Sequence, residues 1–216
     1  MGPLLFIIYT ADIINNIKNC KVQAYADDTQ LYYNFHTHDA DAAELIINKE
    51  LDYISSLSHE HSLQLNSSKS KIIFFGSKKN VEILKNVMNI KIRDKSLEIS
   101  DCTRNLGLII DNSLRFSQHI QTMVSRAYAS LKLIYSNRHI LGFKVKRMLC
   151  ELMVLSHFNY CDFIYGPCLT QLDSKRIQKV QNSCCRLIYG IRKYDHISHK
   201  IKQCGWINME GRRNFH

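Results

Sequence analysis

The stretch Tyr25-Ala26-Asp27-Asp28-Thr29-Gln30-Leu31-Tyr32 constrains this chain more than any other. Two adjacent carboxylates stand between two runs of strand-forming residues, Cys20 to Ala26 and Thr29 to Phe35. β-Branched and aromatic residues favour a pleated, half-buried surface, and Asp-Asp sits where a tight turn belongs. Such a hairpin permits two readings. Either the pair is a solvated Asx turn, or its oxygens converge on a hard divalent cation, with Mg²⁺ the natural candidate. Asp-Asp alone does not choose between them.

The rest of the chain sets the context. With 216 residues and 45% apolar content, it can bury a core as one large domain or two small ones. No apolar run reaches the length of a membrane span, so no membrane partner is expected. The apolar opening from Met1 to Ile8 lacks a basic leader and meets Pro3 and Asp12, which is not the pattern of a signal peptide. Eight cysteines are scattered over a chain too long to need disulfide staples. They read as reduced thiols, and the expected location is intracellular, cytoplasm or nucleus. Charge is unevenly placed. Residues 1–110 hold 12 Lys/Arg against 13 Asp/Glu, whereas residues 111–216 hold 17 against 6, a net of +11. A basic half of this kind suits a polyanion, or else is a generically basic surface.

Periodicity supplies the elements. Pro3 suits the first turn of a helix carrying Leu5, Phe6, Tyr9, Ile13 and Ile17 at helical spacing. Residues 36–59 carry a second helical stripe, with Asp39 and Asp41 at its N-terminus. Leu63 to Leu65, Ile72 to Phe75 and residues 77–110 read as strands, with a turn at Arg93 to Ser96. Ser117 is expected to cap a long helix, Lys144 to His157 to form another, and Ser174 to Tyr189 a third, ended by Gly190. The boundary falls near residues 111–116, giving an α+β region over 1–111 and an all-α basic region over 112–216.

At this point the residues resemble a known family. Gly2-Pro3-Leu4-Leu5-Phe6-Ile7-Ile8-Tyr9 followed by the Asp27–Asp28 octapeptide resembles the palm of reverse transcriptases, RNA-directed DNA polymerases, of the jockey and CR1 type of non-LTR retrotransposon. Leu63 to Lys71, Phe75-Gly76-Ser77, Asn105 to Asp111, Ser156 to Cys161 and Gln178 to Asn182 are similar to later segments of the same family, in order. The resemblance implies a truncated palm, an antiparallel sheet with packed helices, followed by a thumb and post-thumb region. It implies an RNA template, a DNA primer and deoxynucleotide triphosphates as partners, with two Mg²⁺ ions in the full-length enzyme. Asp27 would be a direct metal ligand, Asp28 its supporting partner, and Ala26 a neighbour of the primer end. Tyr25 is either a packed strand aromatic or a contact residue. Lys69 matches a lysine near the incoming triphosphate, or is a solvated loop lysine. Ser62 and Ser67 depart from the family, which usually has Gly and Pro there.

The family's fingers and first metal-binding Asp lie upstream of the Gly2-Pro3 segment, and Asp12 sits in a helical pattern that cannot replace that Asp. The isolated chain is therefore expected to be inactive in polymerisation and to expose an unpaired sheet edge, an aggregation liability. The alternative is a non-catalytic nucleic-acid-binding remnant of a retroelement. By resemblance the basic half lays helices along the template–primer duplex, with Arg126, Lys132, Arg138, Lys144, Lys146, Arg147, Lys175, Arg176 and Lys179 as phosphate contacts. Cys161, Cys168, Cys184, Cys185, His196, His199 and Cys204 contain no Cys-x₂-Cys pair, so core cysteines are the better reading than zinc. Trp206 and Tyr165 read as packing residues.

Overall fold

In the computed structural model, which describes residues 2–214, the chain divides into two compact units, Met1–Thr103 and Arg104–His216. The first is organised by the long stripe of residues 40–60. It follows α1 (Gly2–Asn15) and the antiparallel hairpin of β1 (Lys21–Tyr25) and β2 (Asp28–Tyr32), and forms α2 (Ala40–Glu60). Ala40, Ala43 and Leu51 of α2 are buried against Phe74, Val81, Leu84, Met88, Ile90 and Ile92, with Leu31, Tyr33 and Phe35 packed at the margin. Of those last three Leu31 lies on β2 and Tyr33 and Phe35 follow it, so the hairpin is anchored to the core through its second strand and the segment after it.

Polar groups on α2 complete the packing. Asn48 and Glu44 bond the backbone of residues 89–91: Asn89 N–H donates to Glu44 Oε2 at 2.8 Å and Lys91 N–H to Asn48 Oδ1 at 2.9 Å. Helix α2 ends in a paired closure, with Ser62 N–H donating to His59 O at 2.9 Å and Leu63 N–H to Ser58 O at 2.8 Å. This Schellman motif requires a left-handed residue at C′, just past the helix end, and Ser62 there has φ +55°. That explains why glycine is preferred there. Ser62→Gly is expected to stabilise the chain by about 1 kcal/mol, because glycine carries no Cβ penalty at positive φ. A thermal unfolding midpoint unchanged or lowered would contradict it.

Several expectations are corrected in the first unit. Residues 78–87 are helical, not β: α3 (Lys78–Val87) is capped by Ser77, whose Oγ accepts the Asn80 N–H at 3.3 Å, and buries Val81 and Leu84. Leu63 to Leu65 is irregular, since the Schellman closure consumes its start. The strands are shorter than expected: β3 (Lys71–Ile72), β4 (Lys91–Ile92), β5 (Lys95–Ser96), β6 (Glu98–Ile99) and β7 (Cys102–Asn105). With β8 (Leu108–Asp111) and the β1–β2 hairpin they make, among the described residues, four separate two-stranded sheets rather than one antiparallel sheet, and β3 pairs with β6 in parallel. The architecture is nonetheless α+β.

The second unit is helical after β8. It comprises α4 (Ser117–Ser136), α5 (Phe143–Leu149), a π turn at Cys150–Val154, a 3₁₀ turn at Leu155–Phe158, α6 (Asp162–Tyr165), α7 (Gln171–Tyr189), α8 (Ser198–Gln203) and α9 (Met209–Arg213). Ile120, Met123, Ala127, Leu131 and Ile134 of α4 share one core with Ile177, Val180, Cys184 and Ile188 of α7 and with Val154, Leu155, Phe158 and Tyr165. Each fully buried aliphatic side chain contributes roughly 1.5–3 kcal/mol.

Two details differ from the sequence expectation. Ser117 is the first helical residue and not the cap; Phe116 precedes it in the left-handed region, and the Ser117 hydroxyl donates to Asp173 at 3.3 Å. The 144–157 stretch is not one α-helix but is interrupted by the π turn, which turns Glu151 toward Arg147 and the Trp206 indole N–H.

The Gln178–Asn182 segment acts as a clasp. Gln181 is fully buried and its amide donates to Ile207 O at 2.7 Å, while Met209 N–H donates to Gln178 Oε1 at 2.9 Å. Helix α7 ends at Gly190, φ +66°, as the sequence predicts. Trp206 and Tyr165 are buried packing residues. Cys150, Cys184, Cys185 and Cys204 lie in the core. Hydrogen bonding with Cys150, reinforced by burial, pushes the Cys184 thiol up, and burial beside Cys204 pushes Cys185 up to about 11. Neither thiol is poised as a thiolate ligand or nucleophile.

Candidate functional site

The hairpin of β1 and β2 pairs Lys21 with Tyr32, Val22 with Leu31 and Tyr25 with Asp28, which leaves Ala26 and Asp27 as a two-residue turn. Right-handed strand twist requires a turn with positive φ at its start, and Ala26 has φ +53°. An alanine in this region is strained by about 1–2 kcal/mol, and its small side chain leaves the tip open. Asp27 therefore sits at the apex and Asp28 opens β2, so the turn lies one residue earlier than the Asp27–Asp28 turn the sequence suggests. Both are exposed, and among the described residues neither carboxylate has a hydrogen-bond or ion-pair partner. An Asx turn would tie one of them to a nearby backbone N–H; here both remain available.

The base of the hairpin is fixed from the side. Glu50, buried on α2, accepts from the Asn19 backbone N–H at 3.0 Å and the Asn19 side-chain amide at 2.6 Å. Burial, with Glu50 nearby, pushes the Cys20 thiol up. Asn19 and Glu50 were not singled out from the sequence, because no local pattern marks a contact 31 residues apart.

The donor set suits a hard divalent cation: carboxylate oxygens, exposed, and free of competing bonds. It is incomplete. Among the described residues no group of three or more His, Cys, Asp or Glu side chains is placed to hold a metal ion. Lys69 is exposed in a turn organised by Asn66, which accepts from the Lys69 N–H at 3.1 Å and from the Ser68 hydroxyl at 2.6 Å. Its ammonium has no partner among the described residues.

The basic candidates behave differently from one another. Arg147 is half-buried and bonds Glu151 at 3.2 Å, and Arg176 bonds the buried Asp173 at 3.0 Å. Both serve the helical scaffold. Lys132, Lys144, Lys175 and Lys179 are exposed, and Lys146 is half-buried.

Arg126 is exposed and lies near two histidines. His119 is buried, accepts the Ile109 N–H at Nδ1, and its Nε2 has no partner among the described residues. Burial, then Arg126 and Arg104, holds His119 below the usual imidazole range; burial and Arg126 do the same for His157. The unfolded chain thus binds protons first on acidification. Stability is expected to fall as pH drops below about 6.5 toward the lower folded values, by at most ~1.4 kcal/mol per pH unit for each histidine. His119→Asn retains an acceptor and does not titrate, so urea midpoints measured from pH 7 to 5 should fall less steeply. An unchanged slope would count against this account.

Comparison with known proteins now bears on the hairpin. The family described as reverse transcriptase (RNA-dependent DNA polymerase) matches residues 1–145, two-thirds of the chain and the whole hairpin. The chain belongs to the reverse transcriptase family. This reverse transcriptase chain is also 26% identical, over 199 residues, to a probable RNA-directed DNA polymerase from transposon X-element of Drosophila melanogaster. That match covers 88% of the chain and 21% of the relative, so the chain spans about a fifth of the relative's length. No solved structure matches it. Among the described residues, no helix is long and apolar enough to cross a membrane.

Proposed function

We propose that this chain is the part of a retroelement RNA-directed DNA polymerase that carries the Asp27–Asp28 hairpin. In this reading residues 1–111 belong to the palm and residues 112–216 to the thumb and the region after it. The RNA template, DNA primer and deoxynucleotide triphosphates are its partners, and Mg²⁺ is its ion. The observation that supports it most is the hairpin tip: two exposed carboxylates without partners, on a turn strained at Ala26, inside the matched segment.

Asp27 would be the direct ligand and Asp28 would support it from the first position of β2. Divalent ions, if held there by Asp27 and Asp28, would supply Lewis-acid chemistry to the primer 3′-hydroxyl and charge neutralisation to the triphosphate. Ala26 offers a small side chain beside the primer end. Lys69 neutralises charge on the triphosphate or protonates the leaving pyrophosphate. Lys132, Lys144, Lys146, Lys175 and Lys179, with Arg126, meet phosphates of the template–primer, whereas Arg147 and Arg176 act mainly within the fold.

Two carboxylates are too few to seat two ions, so the 216-residue chain alone is expected not to extend a primer on an RNA template with Mg²⁺. Incorporation by the chain alone that vanishes in Asp27→Ala would overturn that expectation. A second reading, nucleic-acid binding without catalysis, gains from the absence of a third carboxylate in the described cluster. It would be favoured if the chain binds template–primer while Asp27 proves dispensable in a polymerase that contains it.

A further inference from the structure

Helix α4 contains no Asp or Glu in its 20 residues. Its inner side is occupied by Ile120, Met123, Ala127, Leu131 and Ile134. On the outer side Gln121, Ser125, Tyr128, Lys132 and Tyr135 recur at spacings of four and three, and all five are exposed. Residues so spaced lie along one face. Tyr128 is 40% and Tyr135 53% exposed, and neither phenol has a hydrogen-bond partner among the described residues. Arg138, just beyond the helix end, places its guanidinium 4.2 Å from the Tyr135 ring centroid. It spends one N–H on Tyr135 O at 3.1 Å and keeps the rest of its five donors.

This face takes no part in the core, so burial does not explain its two tyrosines. Its charge is purely positive, which selects a polyanion. The rings select further. A phenol ring stacks on a base only where the base face is open, as in a single strand; in a duplex the base faces are already covered. At 1.5 Å rise per residue the two tyrosines stand about 10.5 Å apart along the helix, with Lys132 between them. At roughly 3.4 Å per stacked nucleotide that spans about three steps, a four-nucleotide footprint, at the lower end of known single-strand site sizes.

We propose that the outer face of α4 is a single-stranded nucleic-acid site, in which Tyr128 and Tyr135 stack on unpaired bases while Lys132 and Arg138 hold the phosphates. This goes beyond the polymerase reading: the face lies in the second compact unit, its ligand is unpaired strand, and Lys132 serves that strand here in place of the template–primer duplex.

The test uses the 216-residue chain and fluorescence anisotropy with labelled oligonucleotides of about 12 residues, within the ~4–16 range of such sites. The probes are oligo-rU, oligo-rA, oligo-dT and an RNA–DNA hybrid duplex. Single strands are expected to bind more tightly than the duplex. Tyr128→Ala and Tyr135→Ala should each weaken single-strand binding at least ~5-fold, the lower end of base stacking, and leave duplex binding unchanged. Tyr→Phe at either position should retain it within about 2-fold, because the ring and not the hydroxyl is used. Lys132→Ala should reduce the slope of log affinity against log salt by about 0.7. Glu82→Gln, an exposed change on α3 in the first compact unit and outside the hairpin, should have no effect. A preference between the ribose and deoxyribose probes identifies the natural strand, and either one supports the site. Circular dichroism confirms that the alanine variants stay folded, as exposed helical positions permit. Silent Tyr→Ala variants, equal or tighter duplex binding, or no binding to any probe at low salt would each overturn the proposal.

Discussion

In a polymerase where this chain supplies the hairpin, Asp27→Ala is expected to lower RNA-templated nucleotide incorporation by roughly 10³-fold, equivalent to about 4 kcal/mol of charge stabilisation at the transition state. The same change should leave stability within about 0.5 kcal/mol of wild type, because the side chain is exposed and bonds nothing among the described residues. That combination is the signature of a chemical role. Asp28→Ala should be milder, roughly 10–100-fold, as expected for a group that supports a ligand. Asp27→Asn is the sharper control. It keeps the size and the turn, and removes only the negative charge. Single-turnover primer extension separates this loss from weakened template binding, since Kd for template–primer should not change. Comparable activity for Asp27→Ala and wild type would remove Asp27 from the ligand set and favour the non-catalytic reading.

The hairpin was legible because its information is local. Alternation, a two-residue turn and paired carboxylates are all contained within Lys21–Tyr32, and the strands pair as the pattern requires. Helices α2, α4 and α7 were legible for a similar reason: a long stripe of apolar residues at threes and fours has one stable solution, burial of that side. What was not legible depends on partners distant in sequence. Residues 78–87 contain only Val81, Ile83, Leu84 and Val87 as apolar residues, and the helix gains from burying Val81 and Leu84 in the core shared with Ala43 and Leu51 of α2, about 30 to 40 residues earlier. The π turn at Cys150–Val154 has no period of its own; it is set where Glu151 meets Trp206, 55 residues away. Ser62 is the instructive intermediate. The departure from glycine was visible in the sequence, but its meaning required the left-handed φ at the end of α2. Basic residues behave likewise. Lys and Arg counts locate a positive half, yet only the structure distinguishes Arg147 and Arg176, held by Glu151 and Asp173, from lysines that face solvent.

Phe158→Ala is expected to destabilise the chain by about 3–5 kcal/mol, the range for deleting a fully buried aromatic ring. Phe158 is 2% exposed and sits in the core that joins α4 and α7. Its backbone oxygen accepts the hydroxyl of Tyr165, itself fully buried, so the cavity would open beside a tyrosine that has no other place to go. The segment Ser156 to Cys161 is one that the resemblance singles out, and the structure assigns its residues mechanical duties. Phe158 fills the core, and the Tyr160 hydroxyl donates to Leu106 O at the turn between β7 and β8. The ring of Tyr160 also lies 3.4 Å from where a Cβ would stand on Gly107, whose φ of +90° already favours glycine. Tyr160→Phe removes the hydrogen bond to Leu106 O, worth about 0.5–1.5 kcal/mol, and should cost less than Phe158→Ala. Urea unfolding followed by tryptophan fluorescence suits both variants, because Trp206 is buried in the same core. If Phe158 instead served chemistry or nucleic-acid contact, its alanine variant would keep its midpoint and lose activity or binding per folded molecule. The packing account requires the reverse: a midpoint that drops, and undiminished function in whatever fraction remains folded.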